Sequence, residues 1–571
     1  MRNSATGNSP TAAEALVRML ELHGVTHVFG LCGDTSLPFY DALYRLNHGI
    51  EHILTRDERS AAYMADGYAR VSGKVGVCEG PSGGGATYLL PGLAEANESS
   101  VPVIGITSDV PVTSRGRYPL TELDQGALYR PVTKWNGVID LPDQLPGVVR
   151  AAFRAATTGR PGAAHICLPY DVQKQHLSGD RELWADPGLD SAPARPVTPD
   201  PRALEAAATR LLAAIHPVVI CGGAVISAGA MSELDELASL LNMPVCTTVS
   251  GKGALADTHP LCAGVVGANG GVPATRAVVA GADLVLFVGC RAGSTTTENW
   301  RVPSRGTSII HIDVDPMVIG ANYPTEVALV GDAKLALETL VALVRDNIGE
   351  RNKAAADGSA IVGQAKTAKR AAFQSLATSV DTPIRPERVI AELNHVMPDN
   401  AVVVADPGTP CPYVAAYLEL PRAGRHFITN RAHGALGYAM SAAVGAWYAK
   451  PSSKVVALMG DGSFGFTVGE LETIVRKNVP ITMIVFSNAV YGWIKASQRA
   501  GYDKRYFSVD FSRTDHARVA QAYGVKSFTV TDPAELGAML RKALQHDGPA
   551  LVDIISQPLE EAQAPVSQWM G

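Results

Sequence analysis

The stretch MGDGSFGFTVGELETIVRKNVPITMIVFSNAVYGW, residues 459–493, sets an aspartate between two glycines after one apolar run and an asparagine at the end of the next. KVVALMG, before Asp461, has the length and β-branched content of a buried strand, and ITMIVFSN, ending in Asn488, repeats the pattern. Between them, TVGELETIVRKN places Val468, Leu471, Ile474 and Val475 on one helical face. Strand, helix and strand make a βαβ unit, whose strands run parallel and are usually neighbours. Asp461 and Asn488 then meet at the carboxyl ends of adjacent strands, where open α/β sheets bind ligands. Two oxygen donors at an exposed Gly-rich turn suit a hard cation such as Mg2+. Backbone N–H groups freed by the glycines suit the phosphates that such a cation accompanies.

The same alternation runs through the chain. HVFGLCG and VPVIGIT belong to a first series, HPVVICGG, ADLVLFVG and SIIHIDVD to a second, and AVVVAD and PALVDIIS flank the opening stretch in a third. Three such series predict an α/β protein of three doubly wound parallel-sheet domains. Their expected bounds are 1–185, 190–350 and 383–571, with a charged, Ala-rich linker over 351–382. The Pro- and Asp-rich DPGLDSAPARPVTPDP separates the first two domains, and the first and third series share a layout.

Composition narrows the setting. A chain of 571 residues, 46% hydrophobic and 18% charged with a net charge of −6, reads as an ordinary globular protein with no basic surface for nucleic acid and none for an acidic membrane. The eight cysteines are scattered without a CxxC pair, which predicts reduced core residues and a cytoplasmic location. MRNSATGNSPTAAEAL carries no apolar signal core, and no run reaches the roughly 18 residues of a membrane span.

The GDG-to-Asn arrangement resembles that of thiamine-diphosphate enzymes, and ILTRDERSAAYMADGYARVSGK with EGPSGGGATYLLPGL resembles their acetolactate synthase-like branch. The resemblance implies Asp461, Asn488 and the carbonyl of Val490 as Mg2+ ligands, and Glu58 as the catalytic acid that activates the cofactor. In HGALGYAM it puts the apolar wedge that bends the cofactor on Leu436 and the acceptor of its amino group on Gly434; in DPGTP it gives Gly408 and Thr409 to the diphosphate. Gly460, Gly462, Ser463, Tyr491 and Gly492 complete the implied cofactor set, and Trp493 joins the substrate pocket. In this family the glutamate meets a cofactor held by the other subunit, which implies a homodimer or homotetramer with interfacial active sites. The implied reaction decarboxylates a 2-keto acid and adds the remaining fragment to an acceptor carbonyl. A simple 2-keto acid decarboxylase, a 2-hydroxyacyl-CoA lyase and an oxalyl-CoA decarboxylase-like enzyme are the alternatives.

Three departures from the branch bear on substrate. Asp34 in VFGLCGDTSLPFYDAL stands where acetolactate synthases carry a small residue and resembles the proton-relay aspartate of the decarboxylases, with a carboxyl expected to be buried. Leu120 and Thr121 replace the Phe-Gln pair of the acceptor pocket. RAGSTT replaces the flavin-binding RFDDR and keeps only Arg291, so FAD is not expected, while Arg291 and Asp313 are candidates for the adenosine part of ADP or FAD.

Overall fold

The computed structural model describes residues 9–179, 182–562 and 564–568. Residues 1–8, read above as lacking a signal core, lie outside the described residues. Three six-stranded, all-parallel sheets follow one another along the chain. Their strands fall within residues 27–169, 217–330 and 402–555. Counted within each sheet, the first and third share the order second, first, third, fourth, sixth, fifth; the middle sheet runs third, second, first, fourth, fifth, sixth. That middle order is the dinucleotide-binding arrangement. Helices cover both faces, which is why strands such as Val103–Asp109 and Thr482–Ser487 are buried at every position.

The segment expected as a linker holds a 20-residue helix, Gly358–Ala377, capped by Asp357, whose side chain accepts from Ala360 N–H. Seven cysteines are buried as expected, but Cys32 is exposed in the turn that follows the first strand. Among the described residues no helix is long and apolar enough to cross a membrane.

Two helices from different domains make the closest joint in the molecule. Glu58–Ser72 lies against Tyr438–Ala449, and a methyl group at Gly67 would collide with the carbonyl of Ala442, as one at Gly445 would with that of Met64. Behind the joint, buried Arg70 bridges Asp66 at 2.7 Å and Glu95 at 3.0 Å, and the Tyr438 hydroxyl donates to Asp66 at 2.6 Å.

One buried acid has no charged partner of opposite sign. Glu79 lies in the strand Gly76–Gly80 opposite Gly30, where any larger residue would displace it, and accepts a hydrogen bond from the Tyr40 hydroxyl, which also contacts His52 at 2.9 Å. Burial pushes its carboxyl up to about 8, with the nearby Glu58 adding to the shift and Tyr40 opposing it. Below the ordinary carboxylate range the folded and unfolded chains both hold this proton. As pH rises towards 8 only the unfolded chain releases it, so stability falls across that window and then levels. Glu79→Gln should therefore raise the thermal midpoint at pH 8 by an amount on the order of 3 kcal/mol in stability and leave pH 4 unchanged. Equal shifts at both pH values would contradict the account.

Candidate active site

Strands Val455–Gly460 and Thr482–Ser487 are parallel neighbours, so their ends bring Asp461 and Asn488 together. The turn expected to be exposed is the start of a helix, with Asp461, Ser463 and Phe464 buried and Gly465 exposed. A short helix, Asp461–Thr467, begins at the aspartate itself, which is only 5% exposed; a 3-10 turn Val468–Glu470 and the helix Leu471–Arg476 follow. The Asp461 carboxylate accepts from Gly462 N–H at 2.9 Å, Asn488 N–H at 2.8 Å and Ala489 N–H at 2.6 Å. Burial raises its pKa, and the same three N–H groups oppose the shift. Both side-chain polar atoms of Asn488 are buried without a hydrogen-bond partner, and the Val490 carbonyl accepts none among the described residues. A buried amide left unpaired is costly, which marks it as a group awaiting a ligand.

Beside this pair lies a cavity of about 450 Å3. Gly408 and Thr409 line one wall, and Gly434 and Leu436 another. Gly460, Asp461, Gly462 and Ser463 form its floor with Val490, Tyr491, Gly492 and Trp493. The middle domain closes the far side through Ala268, Asn269, Ser294, Thr295 and Asn299. Three supports here were not anticipated from the sequence. Buried Asp406 accepts from the N–H groups of Tyr438 and Ala439, and burial lifts its carboxyl to about 7. Glu95 accepts from His433 N–H at 2.7 Å, and Asn430 donates to the Ala435 carbonyl at 2.6 Å, so the loop carrying Gly434 and Leu436 is held from both ends.

Among the described residues, none of the first domain lines this cavity. Glu58 instead opens its helix at the carboxyl end of the first sheet, 6% exposed, packed against Gly80 and Gly85. Burial raises its pKa; Asp57 adds to the shift, while its own backbone N–H and Arg59 oppose it. Around the same Gly-rich turn, Ser82 contacts Thr121 at 2.7 Å and Thr35 at 3.0 Å, which brings Thr121 and the loop after Asp34 to one rim; Leu120 beside them is exposed. Asp34 is exposed in this chain, so the expected burial is absent. It does not cap the following helix either, whose N-cap is Ser36. One chain thus presents two separate groups of site residues.

A second cavity of about 690 Å3 lies where the first and middle domains meet, with Arg425, Arg431 and Ala432 of the third domain on its wall. Arg291 and Asp313 both line it, with Arg160 and Arg425. Arg291 donates to the backbone carbonyl of Glu98, and Asp313, its pKa raised by burial, accepts from Asp315 N–H at 2.9 Å. Among the described residues no three His, Cys, Asp or Glu side chains gather as a metal site. A set of one carboxylate, one amide and one carbonyl falls outside that kind of cluster.

Comparison with known proteins agrees with this layout. Residues 10–128 match the thiamine pyrophosphate enzyme N-terminal TPP binding domain, 204–340 the central domain and 406–554 the C-terminal TPP binding domain. The chain is 36% identical over 556 residues to a probable acetolactate synthase large subunit of Methanococcus aeolicus, covering 96% of this chain and 92% of the relative. It is 34% identical to an acetolactate synthase of Arthrospira platensis, with 95% and 94% covered. An acetolactate synthase large subunit of Porphyra purpurea is 31% identical, with 96% and 92% covered. With three domains matched in order and relatives this similar along nearly its whole length, the chain belongs to the thiamine pyrophosphate enzymes.

Proposed function

We propose that the chain is a thiamine-diphosphate-dependent carboligase of the acetolactate synthase type, which decarboxylates a 2-keto acid and joins the remaining fragment to an acceptor carbonyl. The observation that carries this reading is the unpaired, buried Asn488 amide beside Asp461 at the rim of a cavity lined by Gly-rich turns. Asp461, Asn488 and the Val490 carbonyl would hold Mg2+, and Gly408, Thr409, Gly462 and Ser463 the diphosphate. When bound, the cofactor supplies an acidic carbon and a sink for the electrons that CO2 leaves behind. Leu436 would pack against the cofactor and the Gly434 carbonyl would accept from its amino group. Glu58 would hold or release a proton at its carboxyl for the cofactor's activation, and Trp493, Leu120 and Thr121 would shape the acceptor pocket.

The separation of Glu58 from the cavity supports an assembly of at least two copies. Asp34, Glu58, Leu120 and Thr121 of one chain would complete the cavity of its partner, as a homodimer or a pair of dimers. The second cavity, with Arg291 and Asp313, would take the adenosine part of a nucleotide such as ADP, without a flavin function. Asp34 would favour a branch in which some product leaves as free aldehyde, since the next residue, Thr35, contacts Ser82 in the Gly-rich turn against which Glu58 packs. The test is mass-spectrometric profiling of the loaded enzyme against 2-keto acids, aldehydes and acyl-CoAs. A condensed hydroxy-keto acid is expected; aldehyde alone would indicate a decarboxylase, and turnover of acyl-CoA alone a CoA-dependent lyase.

A further inference from the structure

Arg431 brings the single cationic side chain to the described wall of the first cavity. Its guanidinium is held along one edge: Nη1 donates to the Pro407 carbonyl at 3.2 Å, and with the Asn269 amide turned so that its oxygen, not its NH2, faces the guanidinium, Nη1 and Nη2 donate to that oxygen at 3.0 and 2.7 Å. Asn269 is 2% exposed and is itself fixed by a bridge to Val566, so this anchor is rigid. Nε and the remaining proton of Nη2 find no acceptor among the described residues and form a free fork. The guanidinium also lies 5.8 Å from the centre of the Trp493 ring, at the middle-domain side of the cavity, where Ser294 and Thr295 are uncharged.

A 2-keto acid brings a carboxylate into this space. Asp461 is the other charged residue of the described wall and has the same sign as that carboxylate. An anion moved out of water needs a cation or several hydrogen bonds, and a guanidinium fork matches a carboxylate in shape and charge. We infer that Arg431 is the anchor for the substrate carboxylate, pre-set by Asn269 and Pro407 to present Nε and Nη2 to it. The inference rests on the function proposed above, and it assigns the specificity for acids over uncharged carbonyl compounds to one residue.

The test separates this residue from that reading by measuring binding without turnover. Oxamate keeps the carboxylate and the planar shape of a short 2-keto acid; methyl oxamate keeps the planar dicarbonyl core without the charge and adds one methyl group. Calorimetry on the protein loaded with thiamine diphosphate and Mg2+ should show wild type preferring oxamate. Arg431→Gln should weaken oxamate by about 10- to 100-fold and leave methyl oxamate within a factor of about three, with Arg431→Lys in between. Unchanged oxamate affinity in Arg431→Gln, or a wild type that binds both compounds alike, would overturn the assignment. A parallel fall in thiamine diphosphate affinity would also overturn it, because the guanidinium would then serve the diphosphate. Failure of the proposed function shows elsewhere, as absence of CO2 release from every 2-keto acid by the wild type.

Discussion

Asp461→Ala is expected to abolish Mg2+-dependent binding of thiamine diphosphate, with a loss of at least about 100-fold by calorimetry, while the three sheets remain folded. The side chain has two tasks in this structure. Its oxygens would ligate the metal, and they already gather the N–H groups of Gly462, Asn488 and Ala489. Removing the carboxylate therefore costs some stability as well, on the order of 1–3 kcal/mol for the donors left unpaired. Asp461→Asn separates the two tasks in large part, because its amide oxygen still accepts from Asn488 and Ala489 N–H while the neutral side chain no longer supplies the negative charge that holds a divalent cation. The fold should recover in that variant and the affinity should not. Undiminished cofactor affinity in both variants would remove Asp461 from the metal site.

Glu58→Gln should behave in the opposite way, keeping the cofactor and losing turnover by roughly 100- to 10,000-fold, the range for loss of a general acid or base. The amide preserves the size of a side chain that packs against Gly80 and Gly85, so the helix beginning there should be undisturbed. It cannot pass a proton to or from the cofactor ring that Glu58 is proposed to serve. The diagnostic measurement is NMR-monitored exchange of the cofactor's C2 proton for deuterium, which should slow in step with turnover. Exchange at the wild-type rate would show that Glu58 has a different task.

Much of this was legible in the sequence because it is local. The βαβ unit around Asp461 and Asn488 is written in two apolar runs and the Gly-rich step between them, and the short-range periods that predict strands and helices found the three sheets. Legibility ended where partners are distant in the chain. Asn269 and Arg431 meet only because the middle domain folds over the third sheet, and Glu95 reaches His433 from the first domain. Neither pair leaves a periodic trace. The Asp461 turn was misjudged as exposed because glycines signal a turn without saying what covers it. Glu79 was overlooked although a lone acid in the apolar run VGVCEG was in plain view. Asp34 is exposed in the single chain, since a helix start next to a Gly-rich turn does not say which side chains face the interior of one chain.

The joint between helices Glu58–Ser72 and Tyr438–Ala449 limits how this enzyme can move. Two helices in backbone contact at Gly67 and Gly445 have no side-chain layer between them to slide on, and a packed interface of that kind has no second resting position nearby. The first and third domains therefore travel as a single piece. Admission of substrate and release of product must come from parts that are not welded: the middle-domain wall, the Tyr502–Phe507 stretch with its exposed aromatic rings, and the end of the chain that bridges to Asn269. Changes that alter the rate of entry and exit without altering the chemistry should be sought there, and the two long helices should be left alone.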